Sequence, residues 1–217
     1  MKKLNSTALK FALVACITFI ASMAFGQTTY TYRDSVCANS QDVMYGVTNP
    51  NPNSTYHWTL SGGGTLDTNY ITVGADTLVQ VDWASTSGTF TLSVIEQNEA
   101  GCFGDTVQLE IFVNETPEIL ALEGDSVCAN GVGGLMATLS GAGPWVIDYT
   151  DGTNTYTDTA TVSPWSLTLP AYSGTTTIEI TGLTNTNTGC AANLSAPYPS
   201  ANIYVYPKPS TGAIFHY

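Results

Sequence analysis

The chain is short of positive charge, of histidine and of any helical repeat. Its 217 residues carry five lysines and arginines against seventeen aspartates and glutamates, a formal charge of −12. So few cations cannot assemble the basic patch that nucleic acid requires, and an anionic membrane surface would repel the chain. Nucleophilic catalysis lacks its base. The two histidines are His57 and His216; His57 alternates with Tyr56 and Trp58 and so faces away from both, while His216 lies next to the last residue. A serine or cysteine nucleophile needs a base beside it, and neither histidine has that setting. No Cys-x-x-Cys pair offers a zinc site. Beyond residue 26 no segment repeats at 3.6 residues, which excludes a helical fold. These absences argue for a non-enzyme with no metal and no cofactor.

The first 26 residues read as a signal peptide. Lys2, Lys3 and Lys10 are basic, Phe11 to Phe25 is mostly apolar, and Ala24-Phe25-Gly26 puts small residues before a cleavage at Gln27. Leu13-Val14-Ala15-Cys16 also resembles a lipobox, but the chain would then begin with Ile17-Thr18-Phe19-Ile20, too greasy for a lipoprotein tether. Export is expected, to the periplasm or the cell surface, with no membrane insertion after cleavage. Removing the leader leaves Arg33 and Lys208 against all seventeen acids, two minus seventeen, or −15.

What the sequence has is a repeat. Asp34-Ser35-Val36-Cys37-Ala38-Asn39 returns unchanged as Asp125-Ser126-Val127-Cys128-Ala129-Asn130, and each copy is followed by a Gly-Cys pair, Gly101-Cys102 and Gly189-Cys190. Such self-similarity marks two copies of one unit. In an oxidising compartment four cysteines allow three pairings. One cysteine near the start and one near the end of each copy favours Cys37 with Cys102 and Cys128 with Cys190. Each such bond would contribute about 4 kcal/mol in the chain-entropy model.

Between turn residues the chain alternates with period two, as half-buried strands do. Tyr56, Trp58 and Leu60 form one such set; Val79, Val81 and Trp83 a second; Phe90, Leu92 and Val94 a third; Val107, Leu109, Ile111 and Val113 a fourth. The second copy follows with Leu135, Ala137 and Leu139, then Trp145, Ile147 and Tyr149, then segments 175–183 and 201–206. The expected fold is all-β: two tandem antiparallel β-sandwiches over 27–116 and 117–207, each with one disulfide, and a tail over 208–217. Pro117 marks the boundary, with a linker expected to run to Gly124.

A disulfide across a sandwich with an aromatic on a central strand resembles the immunoglobulin arrangement, with Trp58 or Trp83 as the packed ring. The run Cys37-Ala38-Asn39, Tyr56-x-Trp58, Gly62-Gly63, Val81-x-Trp83, Gly88-x-Phe90-x-Leu92-x-Val94-x-Glu96-x-Asn98 and Gly101-Cys102 resembles the PKD-like domains of Bacteroidota surface proteins. The second copy resembles them through Cys128-Ala129-Asn130, Gly143-Pro144-Trp145, Thr175-Thr176-Thr177 and Gly189-Cys190. Those domains accompany gliding-motility and type IX secretion proteins, so the resemblance implies an adhesive, spacer or scaffold module of a Gram-negative envelope with an envelope protein as partner. Asp followed by Ser or Thr and a small or aliphatic residue, similar to O-glycosylation acceptors of such proteins, makes Ser35, Thr77, Thr106, Ser126 and Thr159 candidate acceptors. Strand starts explain the same residues.

Acid pairs Glu96 with Glu99 and Asp148 with Asp151 lack the cleft that glycoside hydrolysis needs, and Asp151-Gly152 with Asn154 reads as a hairpin turn before it reads as a Ca²⁺ site. Trp145, Trp165, Tyr149 and Tyr172 would be the platform if a glycan were the ligand, although cores claim such residues more often. Ile214-Phe215-His216-Tyr217 is an apolar, β-prone end after Pro207 and Pro209, suited to adding a strand to a partner's sheet or to covering an edge of its own.

Overall fold

The computed structural model describes residues 30–48, 50–67 and 77–216. The signal peptide over 1–26 with Cys16, and Asp76 and Tyr217, lie outside them. Among the described residues fifteen strands run in chain order: β1 (Tyr30–Cys37), β2 (Val43–Gly46), β3 (Thr55–Leu60), β4 (Gly64–Asp67), β5 (Leu78–Trp83), β6 (Gly88–Gln97), β7 (Phe103–Asn114), β8 (Ile119–Glu123), β9 (Ser126–Cys128), β10 (Val132–Leu139), β11 (Trp145–Thr150), β12 (Thr155–Ala160), β13 (Trp165–Ala171), β14 (Thr176–Asn185) and β15 (Ser200–Tyr206). No helix occurs among the described residues.

The strands form four sheets, ordered β1-β7-β6-β3, β2-β5-β4, β12-β11-β14-β15-β9 and β13-β10-β8. Period-two alternation places one face of each inward. Trp83, Val81 and Val79 of β5 pack with Leu92 of β6 and Ile111 and Val113 of β7 in one core. Leu135 and Leu169 of one sheet meet Trp145, Ile147, Ile178, Ile180 and Ile203 of the other in a second core. The first core draws only on residues before 114 and the second only on residues after 118. The alternating residues read from the sequence lie on strands, and the chain is an all-β sandwich protein.

Two expectations are corrected. The sheets are not wholly antiparallel: β1 runs parallel to β7, with Tyr30 opposite Val107 and Cys37 opposite Asn114. The same pairing recurs where β9 runs parallel to β15, with Cys128 opposite Tyr206. Nor is 117–124 a linker. Ile119–Glu123 is β8, antiparallel to β10, because its Ile119 and Leu122 pack against the second core. The connection between β7 and β8 is only residues 115–118.

The parallel pairing also overturns both expected disulfides. Cys37 sits beside Asn114 at the end of β7, whereas Cys102 precedes its first residue, Phe103. Twelve residues of strand separate them by about 40 Å, far beyond the roughly 7 Å of Cα separation that a disulfide spans. In the second half Cys128 lies beside Tyr206, past the Thr176 end of β14, while Cys190 is tied to Asn185 at its other end. That span is again about 40 Å. The bond that forms is Cys37–Cys190, with Cα atoms 5.5 Å apart, and Cys102 and Cys128 are exposed free thiols. The disulfide expected behind Trp58 or Trp83, Cys37–Cys102, does not form; Trp83 is buried beside the Phe90 ring, centroids 6.1 Å apart.

The turn after β10 brings Cys190 to Cys37. Glu118 and Ser140 exchange hydrogen bonds: the Ser140 amide donates to the Glu118 carbonyl at 2.9 Å and the Glu118 amide to Ser140 Oγ at 2.8 Å. The Asn185 side chain donates to the Ala142 carbonyl, and the Thr186 amide to the Pro144 carbonyl at 3.0 Å. The loop carrying Cys190 is thus fixed at the β7–β8 connection. The disulfide closes chain segments of similar length on both sides of it, from Cys37 to Asn114 and from Glu115 to Cys190. Cys37→Ser is expected to destabilise both halves, by up to about 4 kcal/mol each. Hydrogen exchange resolved by peptide checks this; a loss confined to residues 30–114 would restore the pairing within the first half.

Candidate functional site

The distinctive chemistry of the chain lies in four cysteine-bearing turns built to two designs. After Cys37 and after Cys128 the strand ends identically. Asn39 and Asn130 take left-handed backbone, φ 63° and 61°, which asparagine tolerates better than other non-glycine residues. The Ala38 amide donates to the Asn114 carbonyl at 2.8 Å, and the Ala129 amide to the Tyr206 carbonyl at 2.7 Å. The Ser40 amide closes on the Cys37 carbonyl and the Gly131 amide on the Cys128 carbonyl.

The second design precedes Cys102 and Cys190. Gly101 and Gly189 have φ of 82° and 73°, the left-handed region that only glycine enters freely. Asn98 and Asn185 each organise one loop. The Asn98 amide donates to the Cys102 carbonyl at 3.0 Å, and the Asn185 amide to the Cys190 carbonyl at 2.8 Å. The Asn98 side-chain oxygen accepts from the Cys102 amide, and that of Asn185 from the Asn187 and Thr188 amides. Asn98 and Asn185 are not aligned by the repeat, because two residues separate Asn98 from Gly101 but three separate Asn185 from Gly189. The two designs meet at Cys37–Cys190, where Cys190 is fully buried.

Nothing among the described residues assembles a catalytic centre. His57 is exposed, its Nε2 3.0 Å from the Gln97 side-chain oxygen and its ring against Phe103, with no nucleophile in contact. His216 is exposed beyond the last strand. Asp151 spends its carboxylate on the β11–β12 turn: Oδ1 accepts from the Thr153 and Asn154 amides at 2.9 and 2.8 Å, and Oδ2 from the Tyr156 hydroxyl at 3.0 Å. The Asn154 amide bond, ahead of the others, holds that carboxyl below its ordinary range. Such an acid is no proton donor at neutral pH. Asp148 accepts from Thr157 Oγ1 at 2.6 Å, and no cluster of three metal-ligating side chains occurs among the described residues.

The aromatic platform is also corrected. Trp145, Trp165 and Tyr149 are buried in the second core because they occupy its inward positions on β11 and β13, and Tyr172 is half-buried against them. Burial pushes the Tyr172 phenol up to about 12. Near the other end of the first half an apolar cavity of about 490 Å³ lies between Tyr32, Tyr45, Trp58, Leu92 and Leu109. Burial raises its Tyr45 phenol to about 12, and it holds no carboxylate or histidine.

The remaining candidate residues are spread over the surface. Ser35 on β1, Ser126 on β9 and Thr159 on β12 are exposed; Thr77 before β5 and Thr106 on β7 are half-buried. Residues 207–216 form no strand, and Ile214 and Phe215 are 99% and 70% exposed.

Residues 24–111 match the PKD-like domain family. The matched segment ends inside β7 and contains Cys37, Trp83 and Cys102. No curated protein sequence matches the chain. Solved structures to which the chain is similar include the fibronectin(III)-like modules of Clostridium thermocellum CbhA, at 15% identity and a TM-score of 0.35, covering 88% of this chain and 98% of that one. Another is Drosophila OTK extracellular domains 3–5, at 13% and 0.43, covering 82% and 60%. A third is titin I67–I69, at 10% and 0.39, covering 82% and 63%. The chain spans less than two thirds of the last two.

A disulfide belongs to an oxidising compartment, and with the PKD-like match it marks an exported protein without an identified enzymatic family. Alkylation of the native monomer is expected to label Cys102 and Cys128 and to spare Cys37 and Cys190. Mass spectrometry of the labelled peptides checks this, and protection of Cys102 in the monomer would contradict the observed pairing.

Proposed function

We propose that the chain is a non-catalytic spacer of the cell envelope: two Ig/PKD-like domains, 27–116 and 117–207, locked in one relative orientation by Cys37–Cys190. That bond carries the reading. A binding domain needs no covalent tie to its neighbour, whereas a spacer gains from one because inter-domain contacts otherwise leave the relative orientation free. The repeated hexapeptide supports two units, and two separate cores support their independence. The PKD-like match over 24–111, together with the resemblance to surface proteins of Bacteroidota, supports a place beside gliding-motility or type IX secretion components. The burial of Trp145, Trp165 and Tyr149 removes the side chains that favoured glycan binding.

The spacer reading predicts that scattering from the native chain fits one narrow distribution of overall dimensions, and that the double variant Cys37→Ser, Cys190→Ser broadens it while both cores stay folded. Identical scattering from the two proteins would remove the lock.

The tail supplies the attachment. Ile214 is 99% exposed in a segment that forms no strand of its own, and an apolar, β-prone segment of that kind can add to the edge of another sheet. Deleting residues 210–217 is expected to leave the melting temperature unchanged and to abolish recovery of an envelope partner in co-purification; equal recovery would end the docking role.

A further inference from the structure

The internal junction leaves half of itself unused at each end of the molecule. At the junction, the Cys37 turn of one half is bonded to the Cys190 turn of the other. The Cys128 turn has the design of the Cys37 turn, down to the left-handed asparagine and the amide donated to the neighbouring strand end. The Cys102 turn has the design of the Cys190 turn, with its left-handed glycine and its organising asparagine. Both unused cysteines are exposed thiols, whereas Cys190 is fully buried by the union it has made. Each lies about 40 Å of strand away from the junction, so each is presented at an end the junction does not occupy.

We propose that Cys128 of one copy bonds Cys102 of the next, repeating Cys37–Cys190 between molecules and joining copies head to tail. The inference rests on the two-domain reading above. The surroundings match as well as the turns. In the internal junction the chain leaves Asn114 beside Cys37 and passes the 140–144 loop, where the Glu115 carboxylate lies next to Gly141. At the free end the chain leaves Tyr206 beside Cys128 in the same way and continues into residues 207–216, which form no strand. The Cys102 turn is flanked by residues 51–54, which with Asn98 and Glu99 enclose a shallow cavity of about 300 Å³. The 140–144 loop stands in the same relation to the Cys190 turn. An interface made of two different ends is heterologous, so each added copy presents a fresh end and growth continues as a filament unless the rotation between copies closes a ring.

The step is a two-electron oxidation. Two thiols lose two protons and two electrons as the S–S bond forms; a disulfide oxidant, glutathione disulfide or an oxidised thiol oxidoreductase, accepts them and leaves as two thiols.

The test uses the mature chain with Cys37–Cys190 intact, incubated in a glutathione redox couple. A ladder of oligomers reversed by dithiothreitol is expected on non-reducing gels, with Cys102–Cys128 peptides in clear excess over the statistical mixture containing both homotypic pairs. Mixing unlabelled with ¹⁵N-labelled chain marks those peptides as intermolecular. Cys102→Ser and Cys128→Ser should each stop the ladder alone, and mixed together they should give a dimer and nothing larger. Homotypic pairing, a ladder persisting in either single variant, or a chain that stays monomeric with Cys37–Cys190 formed would each overturn this proposal alone. Recovery of a Cys37–Cys102 peptide would overturn the two-domain arrangement beneath it as well.

Discussion

The parallel pairing of β1 with β7, and of β9 with β15, decides where the four described cysteines lie. Had β1 run antiparallel to β7, Cys37 would have been carried to the end of the sheet where Cys102 waits, and each half would have closed its own staple. Because β1 runs alongside β7 in the same direction, the cysteine at its end arrives where β7 ends. That is the point at which the chain departs for the second half. The consequence is a bond between halves, one buried cystine and two outward thiols. The hydrophobic cores are indifferent to this choice, since inward residues stay inward whichever way an outer strand runs.

Much of the fold was legible because burial writes itself into sequence with period two. All but Tyr56, Val94 and Val107 of the residues read from alternation on β3, β5, β6, β7, β10 and β11 lie in or against the two cores. What was illegible has a common cause: strand direction and sheet membership leave no periodic trace. Tyr30–Cys37 carries no alternation that names its neighbour, so neither its parallel pairing nor the cysteine geometry could be read. Ile119–Glu123 looked like a linker because Pro117 and three acids surround a short apolar run, yet Ile119 and Leu122 suffice to hold it against β10. The cysteine pairing went astray by assuming that a repeat satisfies itself. The repeat was informative in another sense, since it specified two complementary turn designs.

The excess of acids spoke against nucleic acid and the two histidines against a base-assisted nucleophile, and Asp151, one of the acids considered for chemistry, is drawn into its own hairpin turn. The buried tryptophans show how a composition-based ligand reading fails. The inward positions of β11 and β13 demanded large rings, and nothing in the identity of Trp145 or Trp165 distinguishes a core filler from a stacking surface.

The Ala38 amide bonded to the Asn114 carbonyl, noted above as a strand ending, has a mechanical meaning. It places the disulfide and the peptide connection side by side as they cross from one half to the other, one strand spacing of about 5 Å apart. A single polypeptide crossing is a swivel, free to turn about its own bonds. Two crossings set beside each other are a pair of rails: rotating one half about the long axis must wind them together, so torque applied at one end is delivered to the other.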